Sequence, residues 1–314
     1  MRSLLYVSFL IAIAFNSTQL IAQNSSRQVY VDVDVDRKGV HQFYTVNQSY
    51  APYTIKVDFN NVQNAIPPRN PYYTVAQTGR SLFLRLRKSG AGSGPVRYRY
   101  SYTRYRGCYD AEPDKDVEYL LPVGPDKSVQ ISSLTSLKSY DPTGSKEREV
   151  IGHAYRVGRG DTVYAVRKGR ITLTYNGSED ESKNVFNRDQ NWLEIVHEDC
   201  TFARYRQLKK GTITVEPGDE VNPGDPLAVV ANAENEGDEF FNIRYSYSNL
   251  KSIIDKGKDP SMSNPQAYFV PDFRTANGSK VKLKSGDTYH AVHPEEVITQ
   301  EMNRRERRRY RRRN

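Results

Sequence analysis

The chain has 314 residues, 46 Lys and Arg against 37 Asp and Glu, 37% hydrophobic residues and two cysteines. That is length enough for two sizeable cores, too polar for a bundle of membrane helices and, with 23 Tyr and 11 Phe, too rich in apolar surface for global disorder. The formal charge of +9 does not mark a nucleic-acid surface, because residues 301–314 hold eight Arg and two Glu and supply +6 of it, leaving a nearly neutral body.

Arg2 is followed by a mostly apolar stretch, residues 4–15, and then by a more polar segment ending in Leu20-Ile21-Ala22, which resembles a signal-peptidase site. Residues 1–22 are read as a cleaved signal peptide, since the apolar run is shorter than the roughly 20 residues a membrane-spanning helix needs. No Cys follows it to carry a lipid anchor, and the mature chain is expected in the periplasm or cell envelope of a Gram-negative bacterium. Export makes a Cys108–Cys200 disulfide chemically permissible, and closing so long a loop would contribute about 4 to 5 kcal/mol in the chain-entropy account. Whether the two cysteines meet cannot be read from sequence.

From Val29 the period is two: Val29, Val31, Val33 and Val35 alternate with Tyr30, Asp32, Asp34 and Asp36, giving one apolar and one acidic face. Further runs at 53–59, 81–86 and 96–105, separated by turns such as Ile66-Pro67-Pro68, predict a β-sandwich over 26–117. A second β-rich block is expected over 118–255, with strands at 162–166, 170–175, 192–197, 202–208 and 226–230 and a polar, acidic exposed loop over 176–190. Strand-like pieces at 267–273 and 280–283 belong to a C-terminal extension, 256–293. Pro294, followed by Glu295 and Glu296, reads as the start of a helix running into a basic tail over 294–314, with Arg304, Arg305, Arg307, Arg308, Arg309, Arg311, Arg312 and Arg313. The predicted fold class is all-β, with a short C-terminal helix.

Several chemical readings fail on inspection. Asp32, Asp34 and Asp36 begin like a calcium loop, but Arg37 stands where the sharp turn needs Gly and Phe43 where a bidentate Glu is required. Arg97-Tyr98-Arg99-Tyr100-Ser101-Tyr102 has the composition of a base-stacking strand, yet alternation sends its rings and cations to opposite faces. His290 and His293 have metal-ligand spacing, but Pro294 makes the segment a loop.

Three stretches carry a resemblance: Gly160-Asp161-Thr162-Val163, then Ile195-Val196-His197-Glu198-Asp199-Cys200-Thr201-Phe202-Ala203-Arg204-Tyr205, then Gly218-Asp219-Glu220-Val221-Asn222-Pro223-Gly224-Asp225-Pro226-Leu227. In this order they resemble the lysostaphin-like (LytM-type) zinc endopeptidases, which cut peptidoglycan cross-bridges. The flanks Glu118 to Val123 and Tyr268 to Phe273 look like those of two-domain exported relatives, so the resemblance implies a LytM-type antiparallel β-sheet domain over 118–255. Biotinyl and lipoyl domains share the turns, but no lysine sits on a suitable hairpin.

The resemblance implies a zinc held by His, Asp and the second His of an HxH, with two further histidines moving protons. Carried over turn by turn, the Asp falls on Ala154, the His of the YxHL segment on Gln207, and the HxH strand on Phe240-Phe241-Asn242. No His lies between residues 42 and 152 to supply the first ligand. His153 is one residue from the Asp position, a shift that reverses the face on a strand, and His197 falls where the family's hairpin-supporting His lies. The resemblance thus implies a degenerate, catalytically inactive domain with no metal and no cofactor. Its binding candidates are Tyr205, Gln207, Phe240, Asn242 and Arg244, and Cys200 stands in place of a turn Gly.

The function expected is a non-catalytic envelope protein, scaffold or regulator, that binds peptidoglycan or an envelope protein complex. The Arg tail is a candidate for anionic lipid, lipopolysaccharide or an acidic protein, and no nucleic acid is expected. The competing expectation is an active zinc-dependent peptidoglycan endopeptidase with a metal site relocated to His153, His197 and another residue.

Overall fold

The computed structural model describes residues 28–66, 68–90, 94–140, 146–178, 190–231, 239–260 and 264–313, so the expected signal peptide 1–22 and most of the acidic loop 176–190 lie outside the described residues. The alternating valines form β1 (Val29–Val35), antiparallel to β2 (His41–Asn47), which pairs in turn with β5 (Gly79–Leu86). A second three-stranded sheet places β3 (Tyr53–Gln63) between β4 (Tyr72–Ala76) and β6 (Arg97–Arg106). Period two sends Val29, Val31, Phe43, Ile55, Val57 and Phe59 into one shared core. Tyr98, Tyr100 and Tyr102 pack against that core while Arg97 and Arg99 are exposed, as alternation requires.

The rest of the chain is built on a nine-stranded sheet. Its order runs from β14 (Glu220–Val221) through β11 (Gly169–Tyr175), β12 (Asn191–Val196), β13 (Phe202–Leu208), β16 (Phe240–Ser248), β9 (Lys146–Arg156) and β8 (Ser128–Tyr140) to β20 (Thr288–His290), with β17 (Gln266–Tyr268) also on β16. Beside it β10 (Thr162–Tyr164) pairs with β15 (Pro226–Val229). The segment after residue 256 is woven into this block: β18 (Asp272–Thr275) lies parallel to β7 (Glu118–Leu120) and antiparallel to β19 (Gly278–Val281), and β20 closes on β8. The run expected as one strand over 267–273 is two, because Pro271, with no N–H to give a ladder, falls between β17 and β18. Among the described residues the fold is all-β with three short helices.

Helix α1 (Leu250–Asp255) follows β16. The C-terminal helix expected to run unbroken from Pro294 is instead divided into α2 (Glu295–Ile298) and α3 (Arg304–Arg313). Asn303 starts the second: its Oδ1 accepts from the N–H groups of Arg305 and Glu306 at 2.9 and 3.0 Å, and the Asn303 N–H donates to Glu306 Oε2 at 2.7 Å. That reciprocal cap fixes a new helix start. Nor is the tail a loose end, since Glu306 pairs with Lys168 at 2.8 Å and Arg311 with Glu295 at 2.8 Å. Among the described residues no helix is long and apolar enough to cross a membrane.

Polar contacts tie distant segments together. Cys108 and Cys200 form a disulfide across 92 residues. Two residues before Cys108, Arg106 leaves the sandwich and donates to Glu194 Oε1 on β12 at 2.5 Å. Arg167 is the largest fully buried side chain, only 1% exposed. It donates to both oxygens of Glu301 at 2.7 to 3.1 Å, to Asp199 Oδ2 at 2.7 Å and to the Tyr119 hydroxyl at 3.0 Å. Arg167→Met leaves two largely buried carboxylates without their cation, and should cost about 3 to 5 kcal/mol in urea unfolding with the disulfide intact; a loss below 1 kcal/mol would refute that role.

Two histidines are buried in this core. His153 packs its ring against Tyr155, Tyr245 and Phe273, and neither ring nitrogen has a hydrogen-bond partner. Burial, helped by nearby Lys282, pushes its pKa down to about 4. His197 donates from Nδ1 to the Lys168 carbonyl at 2.7 Å, and burial, then the Arg167 charge, hold its pKa well below the usual imidazole range. Both rings are neutral when folded, whereas the unfolded chain protonates them near pH 6.5. The unfolded state therefore binds more protons below that pH, so stability should fall from pH ~6.5 toward pH ~4 by about 1.4 kcal/mol per pH unit per histidine. Urea midpoints measured from pH 7 to 4.5 test this: His153→Leu should remove about half of the slope, and a flat profile would contradict it.

Candidate functional site

On the face of the sheet away from the core, the registers align side chains in ranks. One rank reads Trp192, Arg206, Asn242, Ala154, Ser132 across β12, β13, β16, β9 and β8. The next reads Glu194, Arg204, Arg244, Gly152, Leu134. Phe240 stands opposite Arg156 on the other side of the first rank. Gly152 marks a close approach of two backbones, since a Cβ there would lie 1.9 Å from the Ile243 carbonyl oxygen.

Three positions carried over from the resemblance therefore meet. Ala154 and Asn242 are register partners, and Asn242 Nδ2 donates to Gln207 Oε1 at 2.6 Å. Gln207 reaches Asn242 through a bulge: Asn191 pairs with Leu208 and Trp192 with Arg206, leaving Gln207 as the extra residue at φ 66°. Phe240 is half-buried nearby. Tyr205 does not belong to this face. Alternation turns it into the core, where it is fully buried and its hydroxyl accepts the Val166 N–H at 2.9 Å.

The donor set does not fit a zinc ion. Ala154 and Phe240 have no lone pairs, the Asn242 and Gln207 amides bond one another, and the neighbours on the same ranks are arginines. His153, beside Ala154, points into the core, with Tyr245 packed against it and Tyr119 between Tyr245 and His197. Among the described residues no three His, Cys, Asp or Glu side chains are grouped to hold a metal.

What the face does carry is positive charge. Glu194, 3% exposed, accepts from Arg106 at 2.5 Å, from Arg204 at 2.7 and 3.0 Å and from the Thr172 hydroxyl at 2.7 Å, so both of its oxygens are engaged. Those donors hold its carboxyl below the usual range despite burial. Arg204 also lies over the Trp192 ring at 4.8 Å. Burial depresses the guanidinium pKa of Arg206, with Arg244 and Arg204 adding repulsion, and burial with Arg204 depresses that of Arg244. Among the described residues no carboxylate pairs with Arg244, and its buried Nε has no hydrogen-bond partner. Arg204, Arg206 and Trp192 are absent from the binding candidates the resemblance implies, although Phe202-Ala203-Arg204-Tyr205-Arg206 alternates plainly enough to place both arginines opposite Tyr205.

No family model and no curated protein matches the sequence. Solved structures similar to this chain include lysostaphin at 13% identity, covering 42% of this chain and 44% of that one, TM-score 0.25. A complex of SpoIIIAH and SpoIIQ matches at 16% identity over 40% of this chain and 92% of that one, TM-score 0.28. The M23 metalloprotease pseudoalterin, from the deep sea, matches at 13% identity over 56% of this chain and 96% of that one, TM-score 0.32. The chain thus spans less than half the length of lysostaphin. At identities and scores this low, neither chemistry nor partners transfer from those proteins to this one.

Proposed function

We propose that this chain is a non-catalytic, exported cell-envelope protein whose second β block binds peptidoglycan or an envelope protein through the arginine-bearing sheet face. The observation that carries the reading is the state of the ranks around Asn242. Where a hydrolytic metal centre would need lone pairs, the face offers a methyl group, a phenyl ring and two amides bonded to each other. The guanidinium groups of Arg204, Arg206 and Arg244 oppose a dication and favour anionic or hydrogen-bonding ligands. Among the described residues both nearby histidines are turned into the core, so neither stands on that face as a general base.

The tail adds a second cationic surface to this reading. Arg304, Arg305, Arg308, Arg309 and Arg312 are exposed on α3 while Glu301 and Glu306 anchor the segment, an arrangement suited to anionic lipid, lipopolysaccharide or an acidic protein.

Purified mature chain, residues 23–314, should contain substoichiometric zinc, release no muropeptides, and co-sediment with sacculi or retain an envelope protein. Stoichiometric zinc that is lost together with muropeptide hydrolysis on chelation would restore the endopeptidase reading; retention of neither sacculi nor any envelope protein would refute the binding one.

A further inference from the structure

We propose that the outward face of α3, carrying Arg304, Arg305, Arg308, Arg309 and Arg312, seats on the phosphate headgroups of an anionic phospholipid bilayer. This rests on the reading of the chain as an exported envelope protein and commits its basic tail to one partner.

α3 is held on one side and free on the other. Glu306 pairs with Lys168 at 2.8 Å and Arg311 with Glu295 at 2.8 Å, Arg307 donates to the Thr299 and Gln300 carbonyls at 3.2 and 3.4 Å, and Tyr310 is half-buried. At about 100° per residue these side chains share one side of the helix, while Arg304, Arg308, Arg312, Arg305 and Arg309 fill an arc of about 140° on the other, about 12 Å long. All five are exposed, and among the described residues none of them forms an ion pair. The contacts that orient the helix therefore leave this face untouched.

The arrangement works against the helix that carries it. Arg304 with Arg308, Arg305 with Arg309 and Arg308 with Arg312 are like charges at i,i+4 spacing, and Arg304 and Arg305 stand in the first turn, where the helix dipole disfavours cations. No carboxylate among the described residues answers these charges, which assigns the compensating anion to a partner.

The composition of the face restricts that partner. The centre of a protein interface is depleted in charge and enriched in aromatic side chains. A helix that sinks into acyl chains presents Trp, Phe or Leu. These positions offer guanidinium groups and nothing apolar. A layer of headgroups needs neither feature: it presents phosphate oxygens, each able to accept from the guanidinium fork, and every arginine within a Debye length of the surface adds a similar increment of attraction. On an exported chain the phosphates within reach are those of lipid headgroups, and α3 lies on them without entering the bilayer.

The mature chain, residues 23–314, is mixed with vesicles of phosphatidylcholine holding about 30% phosphatidylglycerol at ~0.1 M salt, and the bound fraction is read by co-sedimentation. Binding should saturate, fall steeply as salt rises and vanish with phosphatidylcholine alone. Two double variants then remove the same charge from opposite sides of α3, and Gln keeps the helix propensity of Arg at all of these positions. Arg304→Gln with Arg308→Gln should weaken binding about 30-fold, whereas Arg307→Gln with Arg311→Gln should weaken it less than about threefold. Equal losses would make the tail a polycation without a face and overturn the proposal, as would no vesicle binding at all. Poly-glutamate or a single-stranded oligonucleotide bound as tightly as the vesicles, or vesicle binding that requires lipopolysaccharide, reassigns the face and overturns the phospholipid. Sacculus and envelope-protein retention, measured in parallel, separates this from the sheet-face reading: retention without vesicle binding overturns the lipid face only, and vesicle binding without retention overturns the sheet face only.

Discussion

One buried guanidinium sets the geometry of this molecule. Arg167 joins the start of the second block through Tyr119, the turn after β12 through Asp199, and the C-terminal segment through Glu301. The Asp199 turn is also where Cys200 bonds to Cys108, and Arg106, two residues earlier, reaches Glu194. Glu194 then orients Arg204 on the outer face. The arginine-bearing face is therefore positioned by a relay of ionic and covalent contacts that begins on the far side of the sheet. The ionic contacts are weak sources of net stability but strong penalties against rearrangement, since breaking one strands a buried charge.

The sheet separates two kinds of chemistry by parity alone. On the inner side, Tyr155, Tyr205 and Tyr245 are fully buried, and their hydroxyls are satisfied without water: Tyr155 and Tyr245 bond each other at 2.9 Å and Tyr205 accepts from Val166. Burial raises all three phenol pKa values, so these groups stay neutral and add rigidity without charge. On the outer side the same strands present Arg204, Arg206 and Arg244. A rigid apolar layer behind a cationic face keeps the guanidinium groups close together, where a flexible scaffold would let them spread apart into water.

How far this was legible in the sequence depends on which signal was followed. Alternation predicted β1, β3, β5 and β6 and the inward tyrosines of β6, because period two survives wherever one face is buried. It could not find β2, whose polar residues blur the pattern, or β4, five residues of which four are half-buried and show no contrast between faces. The family resemblance brought Ala154, Asn242 and Gln207 to one place but also named Tyr205, which alternation within its own strand assigns to the core. Neither signal shows that Gln207 is a bulge residue, since a left-handed φ at a glutamine leaves no mark on composition. The departure at Cys200 was informative: it takes φ 63°, a conformation that favours glycine, and its thiol is bonded to Cys108. The break at Asn303 was written in the chain as Asn-x-x-Glu, and the run of arginines on either side of Glu306 obscured it.

Charge counting gives a poor account of this protein for a physical reason. A formal charge of +9 with +6 in the last fourteen residues describes a neutral body with a basic tail. Pairing changes that picture at both places. In the tail, Glu301 and Glu306 are spent on Arg167 and Lys168, and Arg311 is tied to Glu295, so its acids face the body while Arg304, Arg305, Arg308, Arg309 and Arg312 are exposed. In the body, acids elsewhere on the chain balance the sum but not the sheet face, where the acid of the central ranks, Glu194, is already shared by two arginines. Interactions between exposed charges fade over a Debye length of about 10 Å, so distant carboxylates do little for Arg244. The arrangement of the guanidinium groups on this face therefore follows from local pairing along the strands and not from the charge of the whole chain.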